Sequence, residues 1–183
     1  MRFRHQSLTI ALHWISVLLL AGGVGCVVVR EWVDDRSLRL LLLDLHRNAG
    51  LLLMVLAGLR LGLRAARRAG RLDHRLPTGL RHLSGLSHGM LYLGLLSIPL
   101  LGWALSSARG QSPRVLGMLP LPSLVGRDRD LAELLERWHA NLAWALLVLI
   151  GMHAVAALWH HYVRKDGVLR SMLPHGRPSP PIT

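Results

Sequence analysis

Residues Trp138–Val163 read WHANLAWALLVLIGMHAVAALWHHYV. The run holds no Asp, Glu, Lys or Arg, does not alternate polar with apolar, and is rich in Leu and Ala. About 20 such residues at a rise of 1.5 Å suffice to cross a hydrocarbon layer of ~30 Å as a helix. In lipid a helix satisfies its own backbone hydrogen bonds, which an isolated strand does not. Two histidines, His139 and His153, lie 14 residues apart in this run. At ~100° and 1.5 Å per residue they share a face and stand ~21 Å apart along the axis.

Three further runs are long and apolar: Leu8–Val29 and about Leu83–Ser107, which likewise hold no charged residue, and about Leu38–Leu63, which is interrupted by Arg39, Asp44, Arg47 and Arg60. The expected fold is therefore all-α: a four-transmembrane-helix bundle forming one domain over residues 1–173, with spans at about 8–29, 38–63, 83–107 and 138–163. The Pro-rich residues 174–183 are expected to be a disordered tail. Between the third and fourth spans, Arg109–Arg137 forms the longest connection, and its segment Leu131–Glu136 is expected to be a short amphipathic surface helix. The single cysteine, Cys26, excludes an intramolecular disulfide, a CxxCH haem attachment and a cysteine-held iron–sulfur cluster.

The formal charge of +12 is distributed unevenly. The face carrying both termini and the Arg60–Arg81 connection holds thirteen basic residues against Asp73 and Asp166. The opposite face holds nine arginines against eight carboxylates. The positive-inside rule then places both termini in the cytoplasm. The charge reads as a topology signal rather than a nucleic-acid footprint, because the Arg-rich connection has no aromatic or glycine interleaving.

Ionisable groups within a bilayer are costly and point to function. Five histidines, His13, His46, His88, His139 and His153, lie in or near the ends of spans. Matching by depth pairs His46 with His139 near the outer surface and His13 with His153 nearer the cytoplasm. A zinc site would need more ligands than two imidazoles. Haem needs two axial ligands, and its macrocycle fills apolar space between helices. Small residues at Gly50, Ala57, Ala156 and Ala157 leave room for it, and equally suit ordinary helix contacts. Two stacked b haems follow, both six-coordinate, which leaves outer-sphere electron transfer as the chemistry.

The four-span layout, His13-Trp14, His46, Trp138-His139, Gly151-Met152-His153, and His160-His161-Tyr162 with Lys165-Asp166 resemble the bacterial cytochrome b561 family over nearly the whole chain. The resemblance implies a di-haem b protein of the cytoplasmic (inner) membrane, with His13, His46, His139 and His153 as ligands to haem iron. One branch is similar to superoxide oxidases, which pass an electron from superoxide outside to ubiquinone. More distant relatives are electron-transfer subunits that take electrons from a protein partner such as a hydrogenase or a dehydrogenase, and both classes remain open. The family's outer Arg-Gly pair matches Arg109-Gly110.

A superoxide donor would need local positive charge at the outer haem, and Arg47, Arg137 and Arg39 are candidates to guide it. They are equally candidates to hold haem propionates or to pair with nearby carboxylates. His160 is seven residues after His153, on the same face and ~10 Å nearer the cytoplasm. It is a candidate to hydrogen-bond a quinone carbonyl and supply a proton. Interfacial anchoring with Trp159 and Tyr162 is the structural alternative. His161 ranks second, and His88 is a candidate for a propionate, the quinone or a substitute haem ligand.

Overall fold

The computed structural model describes residues 2–68 and 78–165, with Leu169 and Met172. Four long helices account for most of them: α1 (Arg2–Glu31), α2 (Arg36–Arg68), α3 (Thr78–Ala108) and α4 (Arg129–Trp159). One π-helical turn, His160–Arg164, extends α4 and ends at Lys165 in the left-handed region (φ 53°). All four helices are long and apolar enough to cross a membrane. Large apolar side chains stand outward at mid-helix, among them Leu18, 71% exposed, and Trp144, 69% exposed. The chain is a four-helix transmembrane bundle, as its hydropathy pattern requires. The 69–77 connection and the 174–183 tail lie outside the described residues.

Consecutive helices pack side by side: α1 on α2, α2 on α3, and α3 on α4. Small residues sit at each contact, where they let backbones approach. A β-carbon added at Gly23 of α1 would come 3.3 Å from Ala49 Cβ of α2. Gly50 of α2 faces the ring of Pro99 in α3, and Gly94 of α3 lies directly under Leu146 of α4. Pro99 sits inside α3 without ending it. In a transmembrane helix neighbouring groups compensate for the missing N–H.

Helix starts follow capping chemistry. The Asp35 carboxylate accepts from the Ser37 hydroxyl and from the Leu38 N–H at 2.8 Å, opening α2. These two bonds hold that exposed carboxyl below its ordinary pKa. Asp128 caps α4 by accepting from Leu131 N–H at 3.0 Å. From that cap α4 runs unbroken through Leu131–Glu136 into the span. The short helix expected to lead into the fourth span is thus the first two turns of α4, continuous with it, as no Gly or Pro lies between Asp128 and Trp138.

The 109–128 connection folds over one end of the bundle, hereafter the loop end; the opposite end, with the N-terminus of α1, is the terminal end. Arg114–Val115 and Leu119–Pro120 form a two-stranded antiparallel hairpin, which the sequence reading did not foresee. Its turn uses Leu116 and Gly117, both at positive φ (50° and 73°). The Leu116 N–H donates to Asn48 Oδ1 of α2 at 2.6 Å, which offsets the unfavourable backbone of a leucine there. Further ties run from Trp103 Nε1 to Pro122 O (3.0 Å), from Leu124 N to Ser107 Oγ (3.1 Å) and from Asp128 N to Ala108 O (3.0 Å).

Candidate redox site

His46 lies 11 residues after the Asp35 cap and His139 lies 11 residues after the Asp128 cap, so the two reach the same depth from the loop end. Their rings are 6.1 Å apart between centroids, with planes at 81°. The Nδ1 of His46 is 2.9 Å from the Gly23 carbonyl, and that of His139 is 3.0 Å from the Ile98 carbonyl. A carbonyl only accepts, so each Nδ1–H donates. Each neutral ring therefore carries its lone pair on Nε2. This is how a metal-ligating histidine is normally oriented and made more basic.

The backbone makes this possible at Gly102. A β-carbon there would lie 3.1 Å from His139 Cε1. Because Gly102 is four residues past Ile98, its missing side chain leaves that carbonyl open to a ring arriving from α4.

The separation suits one metal held between two imidazoles: two metal–nitrogen bonds of about 2 Å plus half of each ring give roughly 6 Å. Among the described residues no group of three or more His, Cys, Asp or Glu gathers to hold a metal ion, so a tetrahedral zinc site has no ligand set. The two rings line a cavity of about 440 Å³ to which all four helices contribute. Leu20, Val24, Leu51, Leu95 and Leu147 are among its apolar walls. Its size falls in the range of cofactor pockets, ~300–1,000 Å³.

Arg30, Arg47 and Arg109 stand at the rim. The Arg30 Nε is buried and has no hydrogen-bond partner. Arg47 reaches Asp44 at 3.4 Å and donates to the Gln111 side chain. Arg109 pairs with Glu136 at 2.7 Å. An apolar slot with two facing imidazoles and cations at its mouth fits a flat metallomacrocycle bearing carboxylates.

Sequence reasoning named Arg47 and the Arg109-Gly110 pair but missed Arg30. The signal available was its position one turn beyond Cys26, at the end of α1 over the same cavity. Gly110 holds φ +72°, and a β-carbon there would meet Arg127 at 3.1 Å, so the chain turns at that point only with glycine. Arg39 and Arg137 do not line the cavity. Arg137 is two residues from His139, ~200° around the helix, and is exposed. Arg39 shares the His46 face but sits two turns, ~10 Å, nearer the surface.

At the terminal end four helices again converge. The rings of His88 (α3) and His153 (α4) are 5.5 Å apart, with planes at 82°. His88 Nδ1–H donates to the Ser84 carbonyl at 2.6 Å. His13 (α1) lies within electrostatic reach of both His88 and His153. Its Nδ1 is 3.3 Å from Arg60 Nη2, and its ring meets Trp14 edge-on at 5.6 Å. The depth match thus brings His13 and His153 to one level, and His88 joins them as the residue in ring contact with His153.

His160 borders a shallow, open apolar surface on the outer flank of α4, with Met152, Val155, Ala156 and Trp159. His161 turns elsewhere and stacks edge-on against Tyr162 at 4.9 Å. Nearby, Trp14 Nε1 donates to the Met172 carbonyl at 2.8 Å, tying the chain beyond α4 to α1.

A family model described as prokaryotic cytochrome b561 matches residues 4–175. Among curated proteins, cytochrome b561 homolog 1 of Escherichia coli (strain K12) is 34% identical over 172 residues, covering 93% of this chain and 97% of the relative. A protein of Yersinia pestis named "Probable superoxide oxidase CybB" is 29% identical over 177 residues, covering 97% and 99%. Cytochrome b561 homolog 2 of Escherichia coli (strain K12) is 31% identical over 181 residues, covering 93% and 91%.

Proposed function

The chain belongs to the prokaryotic cytochrome b561 family, a membrane oxidoreductase family that transfers electrons through b-type haem, and from that premise we propose that it carries electrons from superoxide outside the cytoplasmic membrane to ubiquinone on the inner side. The loop end then faces outward and the Arg-rich terminal end faces the cytoplasm. The observation that carries this reading is the His46–His139 pair, 6.1 Å apart, with each Nδ1 committed to a backbone carbonyl.

His46 and His139 hold the outer of two haems. His13 and His153 would hold the inner one, with His13 giving up the acceptor contact that its Nδ1 makes to Arg60. A second reading of the inner level is favoured by the 5.5 Å contact between His88 and His153: these two would hold the haem, with His13 as their neighbour. When bound, each haem would supply a one-electron carrier.

Arg30, Arg47 and Arg109 hold negative charge at the outer rim, whether that of propionates or of an arriving superoxide anion. Arg39 and Arg137 stand further out and add to the attracting field. His160, at the edge of an open apolar face of α4, is placed to donate to a quinone carbonyl and to pass a proton from the cytoplasmic side. In balance, two superoxide anions each lose one electron and leave as oxygen. One ubiquinone takes both electrons and two protons and leaves as quinol.

The test is rapid mixing of the purified, oxidised holoprotein with superoxide, followed by ubiquinone, with the haem bands monitored. Reduction by superoxide alone and reoxidation by quinone are expected. Reduction that needs an added protein donor would instead favour the electron-transfer-subunit role.

A further inference from the structure

Arg60 lies 14 residues after His46 on α2, ~21 Å further along the axis and inside the span. Its Nε is buried with no hydrogen-bond partner. Its Nη2 reaches His13 Nδ1 at 3.3 Å, and its guanidinium carbon lies 5.7 Å from the centroid of the Tyr92 ring. Its charge bears on both His13 and His153. A guanidinium does not deprotonate in proteins, so this charge is permanent. The described segments around it, 7–20, 54–66, 83–95 and 147–164, hold no Asp or Glu to compensate it.

The loop end differs. Arg47 has Asp44 at 3.4 Å, Arg109 has Glu136 at 2.7 Å, and Arg30 has Glu31 at 3.6 Å. Donation of Nδ1–H to a carbonyl, which makes an imidazole more electron-rich, is common to His46, His139 and His88, so the contrast between the ends lies in the pairing of the arginines. At the terminal end a cation with no carboxylate in the described segments around it lies beside the histidines and favours the state with the extra electron.

We propose that Arg60 sets the direction of electron flow by holding the terminal-end centre at a higher reduction potential than the loop-end centre. This rests on the two-haem reading above. Arg60 is a positioning residue: one electron moves from the loop-end to the terminal-end centre, and the arginine itself exchanges nothing. Such a bias has a use, because an electron entering a negatively charged cytoplasm moves against the membrane potential.

The experiment is an equilibrium redox titration of detergent-purified holoprotein, with haem counted per chain. Wild type, Arg60→Gln, Arg60→Met and Arg60→Lys are compared, and His139→Ala identifies the terminal-end component. Two components are expected in wild type, the terminal-end one higher. Gln or Met should lower that component and leave the other in place; Lys, which keeps the charge, should restore most of the loss. Neutral variants that leave both potentials unmoved, or shift both alike, overturn the proposal. So does loss of the terminal-end haem in both neutral variants with unchanged potential in Lys, which makes Arg60 an assembly residue only. A wild-type protein with fewer than two haems per chain fails the underlying reading instead.

Discussion

Gly102 lies against the imidazole of His139, so close that a β-carbon on it would stand 3.1 Å from Cε1. The contact couples the α3 backbone to the His139 ring through the Ile98 carbonyl. Gly102→Val should push the ring off that carbonyl. Overpacking of this kind costs about 1–3 kcal/mol. The expected outcome is selective loss of the loop-end haem spectrum with the terminal-end spectrum kept, measured as haem per chain and as the difference spectrum. Equal loss of both would mean that the substitution disturbs the bundle rather than the ring.

The four spans were legible because lipid imposes one rule on a long apolar run, and Trp138–Val163 obeys it. The loop-end pair was legible because depth follows from residue count: His46 and His139 start from caps the same number of residues away. Other features depended on three-dimensional closure. The hairpin at Leu116-Gly117 is held by Asn48, 68 residues earlier, and no local pattern announces it. Arg30 reaches the cavity only because α1 and α2 turn tightly at 32–35. At the terminal end, depth alone could not choose between His13 and His88, since both enter within the same turns of their helices.

Ligand identity at the terminal end is decided by substitution. His153→Ala should remove the terminal-end haem under either reading. His13→Ala and His88→Ala should differ sharply: the axial ligand's removal abolishes that haem's bis-imidazole spectrum, whereas the neighbour's removal keeps it. At the loop end, His46→Ala and His139→Ala should each abolish one spectrum and retain most of the other. Two-site loss from any one of these would contradict two independent levels.

The rim arginines predict a salt effect. Exposed charges interact over about 8 Å at physiological ionic strength, so attraction of an anion weakens as salt rises. Replacing Arg30 and Arg109 with Gln should reduce both the superoxide rate and its ionic-strength dependence. Arg39→Gln with Arg137→Gln should lower the dependence less, because those side chains stand away from the cavity. Rapid-mixing rates across a salt series check this. Equal slopes in both double variants would assign the effect to net charge rather than to the rim.

His160 gives a prediction about the acceptor side. It sits on an open apolar face of α4 with Met152, Val155, Ala156 and Trp159, which an isoprenoid quinone would reach from lipid without unfolding the bundle. It lies 7 residues beyond His153 on nearly the same face, close enough for electron transfer but outside the ligand pair. His160→Ala should keep both haem spectra and the superoxide-driven reduction while slowing quinone-driven reoxidation by about 100-fold, the lower end of what a positioned acid–base group contributes. His161→Ala should change reoxidation little, since that ring is stacked on Tyr162. Reoxidation rates that fall equally in the two variants would point to a shared structural role for the π-helical turn, and an unaltered rate in His160→Ala would place the quinone elsewhere.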